Sequence, residues 1–90
     1  MSKIWINDLD IPIEGTFSFD MEYDDRQKPP IYSITGVLET ADGYHNDIRS
    51  IQNHRYKLNG VKVFRESYGS EDDTILYYFT AESYGGANLQ

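Results

Sequence analysis

Thr16-Phe17-Ser18-Phe19-Asp20-Met21-Glu22-Tyr23-Asp24 alternates strictly between large apolar residues and small, polar or acidic ones. A β-strand sends successive side chains to opposite faces, so Phe17, Phe19, Met21 and Tyr23 are expected to line a core while Ser18, Asp20, Glu22 and Asp24 face outward. One face is apolar and the other is an acidic stripe. Fold class and surface charge both follow from this stretch, but no catalytic or cofactor motif is attached to it.

Upstream, Lys3-Ile4-Trp5-Ile6 and the alternating Leu9, Ile11 and Ile13 predict a first strand interrupted near Asn7-Asp8. Pro12 has no amide donor, which marks an edge strand or a bulge. Glu14-Gly15 reads as a turn into the 16–24 strand. Downstream, Asp25 to Pro30 is a polar, proline-stiffened loop, and Ile31 to Glu39 is a strand with Tyr32, Ile34, Gly36 and Leu38 on one face. The two strands are expected to form a hairpin.

Tyr44, Ile48 and Ile51 have helical spacing and Thr40 or Asp42 is a competent cap, so a short helix near 42–52 is expected, with an irregular loop as the alternative because Gly43 and Asn46 weaken any helix. Leu58-Asn59-Gly60-Val61 predicts a second hairpin, because Asn-Gly suits the two positive-φ positions of a type I′ turn. That register sets Leu58 against Val61, Lys57 against Lys62, Tyr56 against Val63 and Arg55 against Phe64. Ser67 to Asp73 is an acidic loop. Thr74 to Ser83, apolar on both faces, reads as a central strand. The chain is thus expected to be mainly β: about six antiparallel strands curled as a barrel or sandwich, with at most one short helix. The alternative is α+β, with the sheet packed on that helix. Residues 1–84 form one domain and 85–90 a flexible tail.

Ninety residues suit a single core, and a chain that short removes only about 60% of its unfolded surface on folding. With 39% hydrophobic and 14% aromatic residues it has the composition of a folded protein. Cysteine is absent, which excludes disulfides, thiolate catalysis and cysteine-based metal sites. The N-terminal residues lack the apolar run of a signal peptide, and no window approaches the roughly 20 apolar residues of a membrane span, so a cytoplasmic location is expected. The net charge of −7 is unevenly spread: residues 1–25 carry −6, residues 26–65 carry +4 and residues 66–90 carry −5.

Three surfaces emerge as candidates. The acidic one comprises Asp20, Glu22 and Asp24 together with Glu71, Asp72 and Asp73, either as a solubilising surface or as a recognition face for a basic partner. Among eight tyrosines, Tyr44, Tyr68 and Tyr84 fall in loops or at strand ends and are the contact candidates. The third is a basic and aromatic patch of Arg55, Lys57, Lys62 and Phe64 on the 54–65 hairpin, suited to phosphate or an acidic surface. An overall acidic chain repels a polyanion at long range, so direct nucleic-acid binding is the weaker expectation.

His45 and His54 lack a zinc-ligand spacing, and Glu71-Asp72-Asp73 lacks the calcium-loop pattern. No metal site, cofactor or catalytic residue is assigned, and the chain is read as non-enzymatic. The function expected is protein–protein interaction, with an acidic, tyrosine-rich face presented to a basic protein. Its most concrete form is an inhibitor, immunity or anti-defence factor of bacterial or phage origin. An accessory subunit of a larger assembly such as a virion, self-associating through its sheet edges, is the first alternative, and a nucleic-acid-binding module is the second.

Overall fold

The computed structural model describes residues 2–29, 31–69 and 73–86, and within them every regular element is a strand. In chain order these are β1 (Ser2–Ile6), β2 (Ile13–Asp24), β3 (Ile31–Thr40), β4 (Ser50–Gln52), β5 (Tyr56–Asn59), β6 (Lys62–Tyr68), β7 (Ile75–Ala81) and β8 (Ser83–Gly86). They form one antiparallel sheet in the order β6-β7-β3-β2-β1-β4-β5-β8, which does not close.

The row must nevertheless curl. β7 is second from one end and β8 is at the other end, yet Glu82 alone separates them in the chain. A single residue spans only about 3.5 Å, so the two ends of the row meet. The second corner is β1, whose Ser2, Lys3 and Ile4 pair with β2 while Trp5 and Ile6 pair with β4. One layer is therefore β6-β7-β3-β2 and the other is β4-β5-β8. Between them lie Ile4, Ile6, Ile34, Leu38, Ile51, Leu58, Tyr77 and Phe79, with Phe17, Phe19 and Val63 packed against them.

The expected β2–β3 hairpin is present, and its register sets Phe17 opposite Leu38, Phe19 opposite Gly36 and Tyr23 opposite Tyr32. β7 lies between β3 and β6, in the central position expected of it. The first strand breaks at Asn7 and Asp8, both at positive φ (56° and 59°). Asn7 then stands in for a strand partner: its Oδ1 accepts from the amides of Arg49 (2.7 Å) and Ser50 (3.1 Å), and its Nδ2 donates to the Asp47 carbonyl (2.9 Å).

Those bonds account for one correction. The segment expected to be helical near 42–52 is an irregular connection followed by β4, because Gly43 and Asp47 have φ of +82° and +58°, outside the helical region, and Asn7 takes the amides of Arg49 and Ser50. Leu9 and Ile11 are exposed in the connection to β2 and belong to no strand. Gly15 is no turn; it is buried within β2, paired with Ser2 on one side and Thr40 on the other. Gly85 and Gly86, expected to open a tail, end β8, and residues 87–90 lie outside the described residues.

The largest correction concerns Asn59-Gly60. Only Gly60 has positive φ (+64°), where a type I′ turn needs two such residues, so the chain bends here without forming a two-residue hairpin. β5 goes to one layer, paired with β4 and β8, and β6 goes to the other, paired with β7. Lys57 lies opposite Gln52 and Gly85, and Lys62 lies opposite Thr80. The basic hairpin does not exist as a ladder.

Candidate functional site

The two layers differ in length, and that difference creates the site. β2 has 12 residues, whereas β4, β5 and β8 have 3, 4 and 4. At about 3.4 Å per residue the long strand runs roughly 40 Å and the short ones 10 to 14 Å. The inward face of β2 therefore outruns the layer that covers it. Phe17 and Phe19 reach the core, but Met21 (38% exposed), Tyr23 (53%) and, across the hairpin, Tyr32 (55%) do not. Half of the face expected to be core is a surface.

That surface is aromatic and continuous. Phe19 meets Tyr56 edge-on at 5.3 Å between ring centroids and Tyr84 at 5.8 Å, and Tyr23 and Tyr32 lie 4.8 Å apart. A groove of about 510 Å³ runs beside Phe17, Phe19, Arg55 and Tyr56. It continues past Met21 and Tyr84, which also line the next depression with Tyr32 and Ile34. Rigid rings that stay partly wet at one end are the side chains enriched at protein interfaces, and a contiguous exposed apolar patch marks an interaction surface.

The opposite face of the same strand carries the acids. Asp20 pairs across the sheet with Thr35 and Glu22 with Ser33, both acids exposed and neither in an ion pair or hydrogen bond among the described residues. Asp24 differs. Arg26 donates to its Oδ1 from the backbone amide at 3.0 Å and from Nε at 3.1 Å. The side-chain bond first, then the backbone bond, holds the Asp24 carboxyl below its ordinary value. The small stabilisation this gives is present above the ordinary carboxylate pKa and is lost as pH falls through the lowered one. Asp20 and Glu22 are thus the free carboxylates of the stripe.

β2 also has an open edge. β1 pairs with it only at Ile13, Glu14 and Gly15, so from Thr16 to Asp24 no strand among the described residues lies on the side away from β3. Along such an edge alternate residues point their amide and carbonyl groups outward.

The remaining sequence candidates are scattered. Of Tyr44, Tyr68 and Tyr84, only Tyr84 joins the groove. The Tyr44 hydroxyl donates to Glu66 Oε1 at 3.1 Å, and that carboxylate raises the phenol's pKa. Tyr68, 90% exposed, lies opposite Ile75, which pairs with Thr40 at the far end of β3 from Tyr32. Asp73 is exposed in the β6–β7 connection near that end, away from Asp20 and Glu22, and Glu71 and Asp72 lie outside the described residues. Of the basic patch, Lys57 is bound to Asp8 at 2.6 Å, Arg55 borders the groove, and Lys62 and Phe64 belong to β6 in the other layer. Phe64 is the extra residue of a bulge between Val63 and Arg65, and Arg65 sits 5.1 Å over the Tyr78 ring.

The charge poles nevertheless share a face. Asp20, Thr35, Thr80 and Lys62 are successive cross-strand neighbours on the outer surface of the long layer. Three strand spacings put the acid and the base about 14 Å apart, beyond a Debye length of ~8 Å at physiological ionic strength. They do not neutralise one another.

Among the described residues no three His, Asp or Glu side chains are grouped to hold a metal ion, and no helix is long and apolar enough to cross a membrane. Comparison with protein-family models, with curated proteins and with solved structures finds no match.

Proposed function

We propose that this chain is a non-enzymatic binding protein that holds a basic protein partner against β2. One observation carries the reading: between Thr16 and Asp24 an open sheet edge, an uncovered aromatic face and a face with two free carboxylates coincide on one strand. The rings supply buried area on contact, and Asp20 and Glu22 supply attraction and register for lysine or arginine. The concrete form is an inhibitor, immunity or anti-defence factor of bacterial or phage origin, which would act by covering a basic surface of its target. The acidic recognition face is then Asp20 and Glu22, and Tyr84 belongs to the aromatic groove on the other face of β2.

Affinity capture from the native host, run in parallel with the parent chain and with Asp20→Lys/Glu22→Lys, tests this. Both side chains are exposed and unpaired, so folding should be unaffected. Recovery of a basic protein is expected to fall at least ~10-fold in the reversed variant, equivalent to about 1.4 kcal/mol. Equal recovery by the two chains would contradict the reading.

A further inference from the structure

We infer that the partner engages as an extended segment, added as an antiparallel strand to the open edge of β2. This deepens the binding reading above and rests on it. A strand entering there would lie end to end with β1, which occupies the same side of β2 at Ile13, Glu14 and Gly15. It would satisfy the outward amide and carbonyl groups of alternate residues between Thr16 and Asp24, which is how sheet edges take up peptides.

The two end strands of the sheet are blunted against any partner, whereas the only charges on β2 between Thr16 and Asp24 are carboxylates, which deter an acidic strand and not a basic one. β6 carries the Phe64 bulge together with Lys62, Arg65 and Glu66, and β8 spans four of the described residues. Bulges, charges and short strands are the usual means of stopping edge pairing. From Thr16 to Asp24 β2 has an unshifted register with β3, no proline and no basic residue.

Cross-strand neighbours share a face, so the geometry also fixes the pattern of the segment. Residues opposite Asp20 and Glu22 should be lysine or arginine. Those between them point into the groove beside Phe19, Met21 and Tyr84 and should be apolar. A second copy of the chain is a poorer occupant. Full antiparallel overlap of two 16–24 segments is centred on Asp20 and sets that carboxylate against its own copy, with Glu22 diagonal to it. Like charges facing one another across a ladder are destabilising.

The test is amide hydrogen exchange on the full chain with a nine-residue peptide of alternating lysine and valine as the probe. At about 1 mM a contact of ~5.4 kcal/mol is about nine-tenths occupied, which is enough to slow exchange tenfold. The expected result is slowing of alternate β2 amides between Thr16 and Asp24 by at least tenfold. That slowing should be absent with a glutamate–valine peptide and absent in Asp20→Lys/Glu22→Lys. Shifts of the Tyr56 and Tyr84 ring signals without amide slowing would overturn strand addition while leaving the binding reading standing. No perturbation at all, or equal slowing by the glutamate peptide, would overturn the inference, and the capture experiment would then judge the binding reading separately. Slowing that rises with protein concentration in the absence of peptide would overturn it in favour of self-pairing.

Discussion

Phe79→Ala is expected to lower the thermal midpoint by ~12 °C or more, or to leave the chain unfolded at room temperature. Phe79 has no exposed surface and sits mid-strand in β7, with Gly36 opposite on one side and Val63 on the other. Truncating a buried phenylalanine removes its transfer free energy and leaves a cavity that collapses only in part, for a loss of about 3–5 kcal/mol. At 0.05–0.15 kcal/mol per residue a chain this size has only about 5–13 kcal/mol in total. In a domain this small each kcal/mol moves the midpoint by roughly 4–8 °C. Phe64→Ala is the matched control: that ring is 65% exposed, and its removal should change stability by less than ~0.5 kcal/mol. A Phe79→Ala midpoint within ~4 °C of the parent would mean that the two layers do not close on this ring.

Gly36→Val is expected to destabilise the protein although valine is the better strand former. Propensity alone predicts a gain of up to about 1 kcal/mol on replacing a mid-strand glycine. The local geometry opposes it: a Cβ on Gly36 would lie 2.3 Å from the Ser18 carbonyl oxygen, 2.7 Å from Phe79 Cζ and 2.9 Å from Phe19 Cβ. The carbonyl is backbone of the neighbouring strand, so relief requires β2 and β3 to separate where Phe19 faces Gly36. Overpacking of this kind typically costs about 1–3 kcal/mol, and the steric contribution wins. Gly85→Val makes the comparison decisive, because a Cβ there meets nothing within 4 Å. Denaturant midpoints should fall for Gly36→Val and hold or rise for Gly85→Val. A rise in both would show that the β2–β3 contact is looser than described.

Much of the long layer is legible in the sequence because it is local. Strict alternation over 16–24 and the shared face of Tyr32, Ile34, Gly36 and Leu38 over 31–39 set the hairpin and its facing residues, and apolar side chains on both faces of 75–79 identify β7 as central. The short layer is not legible in the same way. Asn59-Gly60 announces a turn, but whether its flanks pair with each other or with separate ladders depends on β4, β7 and β8, which are distant in sequence. The false helix has a similar origin, since the bonds that hold 47–50 come from Asn7, some forty positions upstream.

The site was misread for a related reason. Alternation tells which side of a strand a residue faces, and it says nothing of how far the opposing layer extends. Met21 and Tyr23 therefore read as core residues, although both are exposed. The usable signal was strand length: a nine-residue alternating run set against partner segments of three or four residues leaves apolar side chains uncovered. Asp20 and Glu22 face outward as expected, because outward placement on a strand depends on local parity alone.

That β2 offers an unpaired edge between Thr16 and Asp24 is open to direct measurement without any partner. Residue-resolved amide exchange of the isolated protein at low concentration is expected to show every other amide from Thr16 to Asp24 exchanging at least ~10-fold faster than its neighbours. The β3 amides from Ile34 to Thr40, flanked by β2 and β7, should all be slow. Uniform slow exchange along both strands would mean that the β2 edge is already covered, and would contradict the proposal that it is the surface on which this protein acts.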